Sequence, residues 1–216
     1  MKLYNSNLSP YTARVRMQLY LKGMKAEFVP PPGGGIHTPE YAKINPLERI
    51  PTLDDDGFIL PESSAICEYI EDTHPSPSLR PADPKERARM RVLFNIADDY
   101  ILGALLKLFN QANPQARDAK IVDAALTDLA KALGGLEHFL SGGKYAQGSS
   151  PTLADCALVP ALFFVGALGP LFGQSDIMGP TPKVKAYYAS AQGDAHIAKI
   201  VQELGVALAE RMKQGA

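Results

Sequence analysis

The sequence predicts a small α/β unit followed by an all-helical one, and three observations lead there. Up to about Thr73, short strand-like and helix-like segments alternate in the order βαβαββα. Residues 74–84, HPSPSLRPADP, then carry Pro75, Pro77, Pro81 and Pro84. Such a stretch cannot form one regular element, since each proline fixes φ and removes a backbone donor. Beyond Pro84 no hairpin signal recurs, and apolar residues repeat at helical spacing instead. The expected boundaries are therefore 1–76 for the α/β domain and 85–216 for the helical domain.

Each element has a local reason. Lys2–Asn5 alternates weakly and reads as a strand. Ser6-Asn7-Leu8-Ser9 leads into Pro10, which suits a helix's first turn. Val15, Leu19 and the Lys22 stem recur at helical spacing, and Gly23 is a natural stop. Ala26–Val29 is a second strand, parallel to the first because a helix crosses between them. The Pro30–Gly35 loop follows, and Thr38-Pro39-Glu40 starts a short helix. Leu53 and Phe58–Leu60 form a hairpin around Asp56-Gly57. Ser63 and Ser64 open a helix to about Thr73, with Ile66, Tyr69 and Ile70 on one face. In the second half, helices are expected over roughly 85–111, 116–140, 152–168, 182–191 and 195–212.

Composition narrows the function classes. The 216 residues are 46% hydrophobic and 21% charged, enough to build a core. A net charge of −1 without a polybasic run gives no footprint for nucleic acid or an anionic membrane. No uninterrupted apolar run approaches ~18 residues, and the N-terminus lacks a secretory pattern, so a cytoplasmic protein is expected. Cys67 and Cys156 sit among apolar neighbours and read as packing thiols. With no CxxC, and with His37, His74, His138 and His196 scattered, no metal site is expected.

Three stretches carry more specific chemistry. In PTLADCALVP, Thr152 and Asp155 form a capping box, while Pro160 lies deep inside the same helix; this is a folding signature. In SNLSPYTARVR, Ser9 precedes a helix N-terminus, where unpaired N–H groups and the dipole favour negative charge. An ordinary helix cap explains a lone serine. Its other possible role is hydrogen-bond donor to an anion, such as a thiolate, resting at that helix end. No GxSxG elbow or His/Asp pairing supports a serine nucleophile. In RIPTLDDDGFILPESSAI, Pro51 belongs at a strand's first residue, an edge or a bulge, and Pro61-Glu62-Ser63-Ser64 passes directly from strand end to helix start.

Taken in order, these stretches resemble the cytosolic glutathione transferases over essentially the whole chain. The matching residues are Ser9-Pro10-Tyr11, Arg14-Val15-Arg16, Lys22-Gly23, Asn45-Pro46, Arg49-Ile50-Pro51, Glu62-Ser63, Ala65-Ile66, Tyr69-Ile70 and Thr152-Leu153-Ala154-Asp155 with Pro160. The chain looks closest to the serine-type tau, zeta and bacterial groups, and ICEYIEDTHPSPSLRPADPKERARMRV resembles bacterial transferases that cleave aryl ethers. The resemblance implies a thioredoxin-like N-terminal domain, an all-α C-terminal domain, a homodimer, and glutathione as co-substrate. It implies that Ser9 stabilises the glutathione thiolate. It also implies a cis bond before Pro51, leaving the backbone of Ile50 to pair with the cysteinyl residue. Glu62 would take the γ-glutamyl ammonium and Ser63 its carboxylate; His37 or Lys43, with Arg49, would meet the glycyl carboxylate. The tau class tends to carry lysine at the position of His37. Leu8, Tyr11 and Tyr100 are candidate walls of a hydrophobic substrate pocket between the domains.

A free thiol of pKa ~8.5 is only about 3% ionised at pH 7, and lowering it by two units takes ~2.7 kcal/mol. One hydroxyl donor to an anion supplies roughly 1.5–3 kcal/mol, and a helix N-terminus up to about 2. The leading expectation is thus an enzyme adding glutathione thiolate to a small hydrophobic electrophile. Alternatives are an isomerase of maleylacetoacetate type, whose Ser-Ser-Cys run aligns with Ser9, Pro10 and Tyr11, an aryl-ether-cleaving transferase, and a non-catalytic binder. A thiol-disulfide reductase would need cysteine at position 9.

Overall fold

In the computed structural model, which describes residues 1–214, β1 (Lys2–Tyr4) lies parallel to β2 (Glu27–Val29) and antiparallel to β3 (Thr52–Asp55). The hairpin partner of β3 is β4 (Phe58–Pro61), and the strands run in the order β2-β1-β3-β4. Asp56 and Gly57 both have positive φ, 52° and 94°, as a two-residue turn matching the strand twist requires. The Gly57 N–H donates to Asp54 Oδ1 at 2.9 Å. Pro51 stands one residue before β3, outside the ladder, and the Ile50–Pro51 bond is cis. Thr52 is thus the first ladder residue, opposite Tyr4 and Pro61.

Three helices complete the front of the chain: α1 (Pro10–Leu21), α2 (Pro39–Ala42) and α3 (Ser63–Thr73). On α3 the buried face is Ser63, Ile66, Cys67, Ile70 and Glu71, with Tyr69 only half-buried; its hydroxyl donates to Asp55. On α1 every residue from Thr12 to Leu19 is buried, including Arg14, Arg16 and Gln18. A single apolar stripe cannot anticipate this, because α1 packs against α3 and also against α9 (Ala195–Gln214). The chain divides into two compact units, and α9 groups with Met1–Leu79, not with the helices before it; the other unit is Arg80–Asp194.

The proline-rich stretch is anchored at its start. Lys22 and Glu71 form an ion pair at 2.9 Å with both side chains 0% exposed. Gln18 Nε2 also donates to Glu71, as do the Leu79 N–H and the Ser78 hydroxyl, while Lys22 Nζ donates to the Pro77 carbonyl.

In the second unit the helix expected over 85–111 is divided. It comprises α4 (Pro84–Asn95), a π-helical segment (Ile96–Leu102) and α5 (Gly103–Phe109). The buried residues of the middle segment, Ile96, Ala97, Ile101 and Leu102, recur at a spacing of five, the period of the wider turn. Next, α6 (Ala119–Phe139) begins later than expected because the Asp118 side chain accepts from the Lys120 and Ile121 N–H groups. Then come α7 (Leu153–Leu168) and α8 (Pro182–Ala191). Residues 153–172 are long and apolar enough to cross a membrane by composition, which a search for uninterrupted runs does not detect. Its most apolar window is 67% buried, and the stretch serves as core. Asp155, in the first turn of α7, is fully buried and accepts from the Thr152 N–H and hydroxyl, the Ala146 N–H and the Tyr187 hydroxyl. It ties α7 to α8 and to the preceding loop. Cys67 and Cys156 are both buried and neither is in a disulfide.

Candidate active site

The loop after β1 ends at Ser9. Ser9 has extended backbone angles (φ −85°, ψ 126°) and caps α1, its Oγ accepting from the Thr12 N–H at 3.3 Å. The Thr12 hydroxyl closes the turn from inside, donating to the carbonyls of Ser6 (2.5 Å) and Ser9 (3.1 Å). Because the Ser9 oxygen accepts at the cap, its own proton remains for an incoming acceptor. Leu8 and Tyr11, on either side, are half-buried.

At the start of α3, Glu62 sits at φ 69° and ψ 110°, a positive φ that costs a non-glycine residue strain. Its side chain is exposed and does not cap the helix. Ser63, at the first helical position, is buried and its Oγ accepts from Arg14 Nη1 at 3.1 Å. The Arg14 guanidinium lies 5.4 Å from the centroid of the Tyr11 ring. A buried cation therefore underlies a helix N-terminus, and both favour a carboxylate there.

The strand edge before Pro51 is held from behind. The Arg49 carbonyl accepts from the Tyr41 hydroxyl at 2.6 Å, Asn45 Nδ2 at 2.9 Å and the Thr52 hydroxyl at 3.3 Å. Tyr41, Asn45 and Thr52 are all buried, and burial pushes the Tyr41 phenol above its ordinary range, so it stays a donor. Ile50 comes next; no backbone hydrogen bond of its N–H or C=O is present among the described residues. Arg49 and Lys43 are exposed. His37 Nδ1 lies 2.7 Å from Glu48 Oε2, with the His37 side chain 75% exposed.

Of the sequence-derived candidates, Ser9, Arg49, Ile50, Glu62, Ser63, Leu8, Tyr11 and His37 all belong to the α/β unit. Tyr100 belongs to the other unit, on the π-helical segment, and is 61% exposed. Thr152 and Asp155 serve the packing of α7. Sequence reasoning assigned no task to Arg14, Arg16, Tyr41 or Asn45. The available signal was two arginines flanking Val15 inside an otherwise core-forming helix, a position where a charge needs partners.

Comparison with known proteins identifies the family. Residues 3–78 match the glutathione S-transferase N-terminal domain, and residues 92–191 match the C-terminal domain. The chain belongs to the cytosolic glutathione transferase superfamily. It is 34% identical to the maleylacetoacetate isomerase of Mus musculus over 166 residues, 73% of this chain and 74% of the relative. Among solved structures, the holo form of a bacterial zeta-class maleylpyruvate isomerase superposes with a TM-score of 0.77 at 29% identity, covering 93% of this chain and 96% of the other. A maleylacetoacetate isomerase from Methylobacterium extorquens AM1, with bound malonate and glutathione, gives 0.76 at 28% identity over 94% and 97%. As a glutathione transferase, the chain is a glutathione-dependent enzyme with a thioredoxin-like front and a helical second domain.

Proposed function

We propose that this glutathione transferase is a cis–trans isomerase of a maleyl-type keto acid, using glutathione as a returned nucleophile. The observation that carries the reading is Ser9: its oxygen is engaged as the cap of α1 while its proton is left to donate. The Ser9 hydroxyl and the α1 N-terminus stabilise the glutathione thiolate. The thiolate adds to one carbon of the conjugated C=C, and the electron pair moves onto the adjoining carbonyl as an enolate. Rotation about the resulting single bond and expulsion of the thiolate restore the double bond in the trans form. No glutathione is consumed. The isomerases among the relatives support this outcome over stable conjugation.

Glutathione lies extended along the edge at Ile50, whose backbone N–H and C=O pair with the cysteinyl residue as an added strand would. Ser63, over Arg14, receives the γ-glutamyl carboxylate and Glu62 the ammonium. Arg49 receives the glycyl carboxylate; His37, beside Glu48, is a weaker partner because a carboxylate already faces it. Leu8 and Tyr11, which flank Ser9, contact the second substrate.

A second reading is conjugation to a small hydrophobic electrophile. It is favoured by the Ser9-Pro10-Tyr11 run, a departure from the Ser-Ser-Cys run that the resemblance to a maleylacetoacetate-type isomerase implies. Thiol titration during turnover separates the two. With maleylacetoacetate, the isomerase leaves free glutathione constant while the trans product accumulates. Stoichiometric loss of thiol with chloronitrobenzene or an aryl ether, and no isomerisation, would overturn the first reading.

The protein is further proposed to be cytoplasmic and a homodimer. Phe58 (52% exposed) on β4 supplies an apolar docking element, and Val92 and Leu106 offer apolar surface on the first helices of the second unit. Light scattering at micromolar concentration should give twice the 23.3 kDa chain mass; the chain mass itself would contradict a dimer.

A further inference from the structure

We infer that Arg16 is a positioning residue for Ser9, held in that task by Glu203 on α9. The inference rests on the reading of Ser9 as the thiolate's donor and extends it to a residue that does not touch substrate.

The Arg16 side chain is 2% exposed. Its Nη2 donates to the Asn7 carbonyl at 3.0 Å and its Nη1 to Asn7 Oδ1 at 3.2 Å, so main chain and side chain of the same residue are gripped together. Asn7 stands two residues before Ser9, within the loop that aims the Ser9 hydroxyl. Asn5 Nδ2 also donates to Asn7 Oδ1, at 2.9 Å, and the Asn5 N–H donates to the Val29 carbonyl at 2.8 Å. The same Nη1 also donates to Glu203 Oε2, at 2.7 Å. Glu203 is itself held by the Tyr20 hydroxyl at 3.0 Å, and the Lys199 ammonium sits 3.7 Å from the Tyr20 ring centroid.

Two features make the loop depend on this contact. A cavity of about 420 Å³ opens beside it, lined by Asn5, Asn7, Arg16, Tyr20, Phe28 and Glu203 among others. On that side the loop is fixed by hydrogen bonds to Arg16 more than by close packing. Second, burial disfavours the charged guanidinium, and the Glu203 carboxylate is what offsets it. Loss of Glu203 would leave a buried cation free to turn away from Asn7 toward water. A planar fork can reach the two Asn7 oxygens at once, which a lysine ammonium on a flexible stem does not reproduce.

The test measures the pKa of the bound glutathione thiol from the pH dependence of its thiolate absorbance, with kcat and KM for glutathione. The proteins compared are wild type, Ser9→Ala, Arg16→Lys, Glu203→Gln and Asn7→Ala. Ser9→Ala serves as reference and raises the bound thiol pKa by about two units. Arg16→Lys and Glu203→Gln should raise it part of the way and lower kcat about 10-fold, with KM for glutathione changed less than about twofold. Should Arg16→Lys not fold, Asn7→Ala removes one of the two gripped oxygens from an exposed residue and is expected to raise the thiol pKa in the same direction. If Ser9→Ala moves the thiol pKa while the foldable variants of Arg16, Glu203 and Asn7 all keep the wild-type value, the positioning role is overturned. If Ser9→Ala itself moves nothing, the reading of Ser9 fails instead.

Discussion

Arg14 on α1 and Ser63 at the start of α3 are separated by 49 positions in sequence, yet Arg14 Nη1 donates to Ser63 Oγ across 3.1 Å. The bond joins α1 and α3, the two helices whose N-termini are proposed to meet the thiolate and the γ-glutamyl carboxylate of glutathione. Arg14→Met keeps the apolar stem and removes the charge. It should weaken glutathione binding about 10- to 100-fold, the range of one hydrogen bond involving a charged group. The pKa of whatever thiol is bound should stay near the wild-type value, because Ser9 is untouched. Calorimetric titration with glutathione measures the first, and thiolate absorbance at saturating glutathione the second.

The Tyr41 hydroxyl donates to the Arg49 carbonyl at 2.6 Å, behind the edge where the cysteinyl group is proposed to lie. Tyr41→Phe removes that donor without changing the ring's packing. Glutathione affinity should fall about fivefold, equivalent to the ~1 kcal/mol of a typical hydrogen bond. Unchanged affinity by titration would mean that Asn45 and Thr52 hold the carbonyl without help.

Lys22 and Glu71 are fully buried partners, so removing one strands the other. Glu71→Ala should cost about 3–5 kcal/mol in urea unfolding. The carboxylate also accepts from the Leu79 N–H and the Ser78 hydroxyl, so the 77–79 segment should become protease-sensitive in the same variant.

These contacts also indicate how much could be read in advance. The hairpin was legible because Asp56-Gly57 is a turn dipeptide with one backbone solution, and the α1 start because Ser9-Pro10 combines a cap with a helix-compatible proline. The division of the 85–111 helix was not anticipated, although the spacing of Ile96, Ala97, Ile101 and Leu102 carries it; a 3.6-residue template passes over a five-residue period. The contacts of Arg14 and Arg16 are not legible because Ser63 and Glu203 lie 49 and 187 positions away. Sequence periodicity reports which residues turn inward, but not which buried charge meets which partner. The same limit hides the packing of α9 against α1, which the periodicity of neither helix carries.

Burial holds the Asp155 carboxyl above its ordinary range, although the donors around it pull the other way. The folded protein therefore binds this proton more tightly than the unfolded chain. That contribution is complete below the ordinary aspartate value of about 3.9 and is lost as pH rises through the higher folded value. Over that window, wild type should lose stability relative to Asp155→Asn by up to about 1.4 kcal/mol per pH unit. Urea unfolding at a series of pH values measures the difference, and parallel pH profiles would mean that folding does not raise the pKa of this carboxyl.

The central claim, that Ser9 makes bound glutathione a thiolate, is tested most directly by proton release. Glutathione is titrated calorimetrically at pH 7 in two buffers of different ionisation enthalpy. With the thiol pKa lowered from ~8.5 to ~6.5, wild type should release about 0.7 proton per glutathione bound. Ser9→Ala should bind glutathione with similar affinity and release close to none. Release of less than about 0.1 proton by the wild type, or equal release by both proteins, would contradict the assignment.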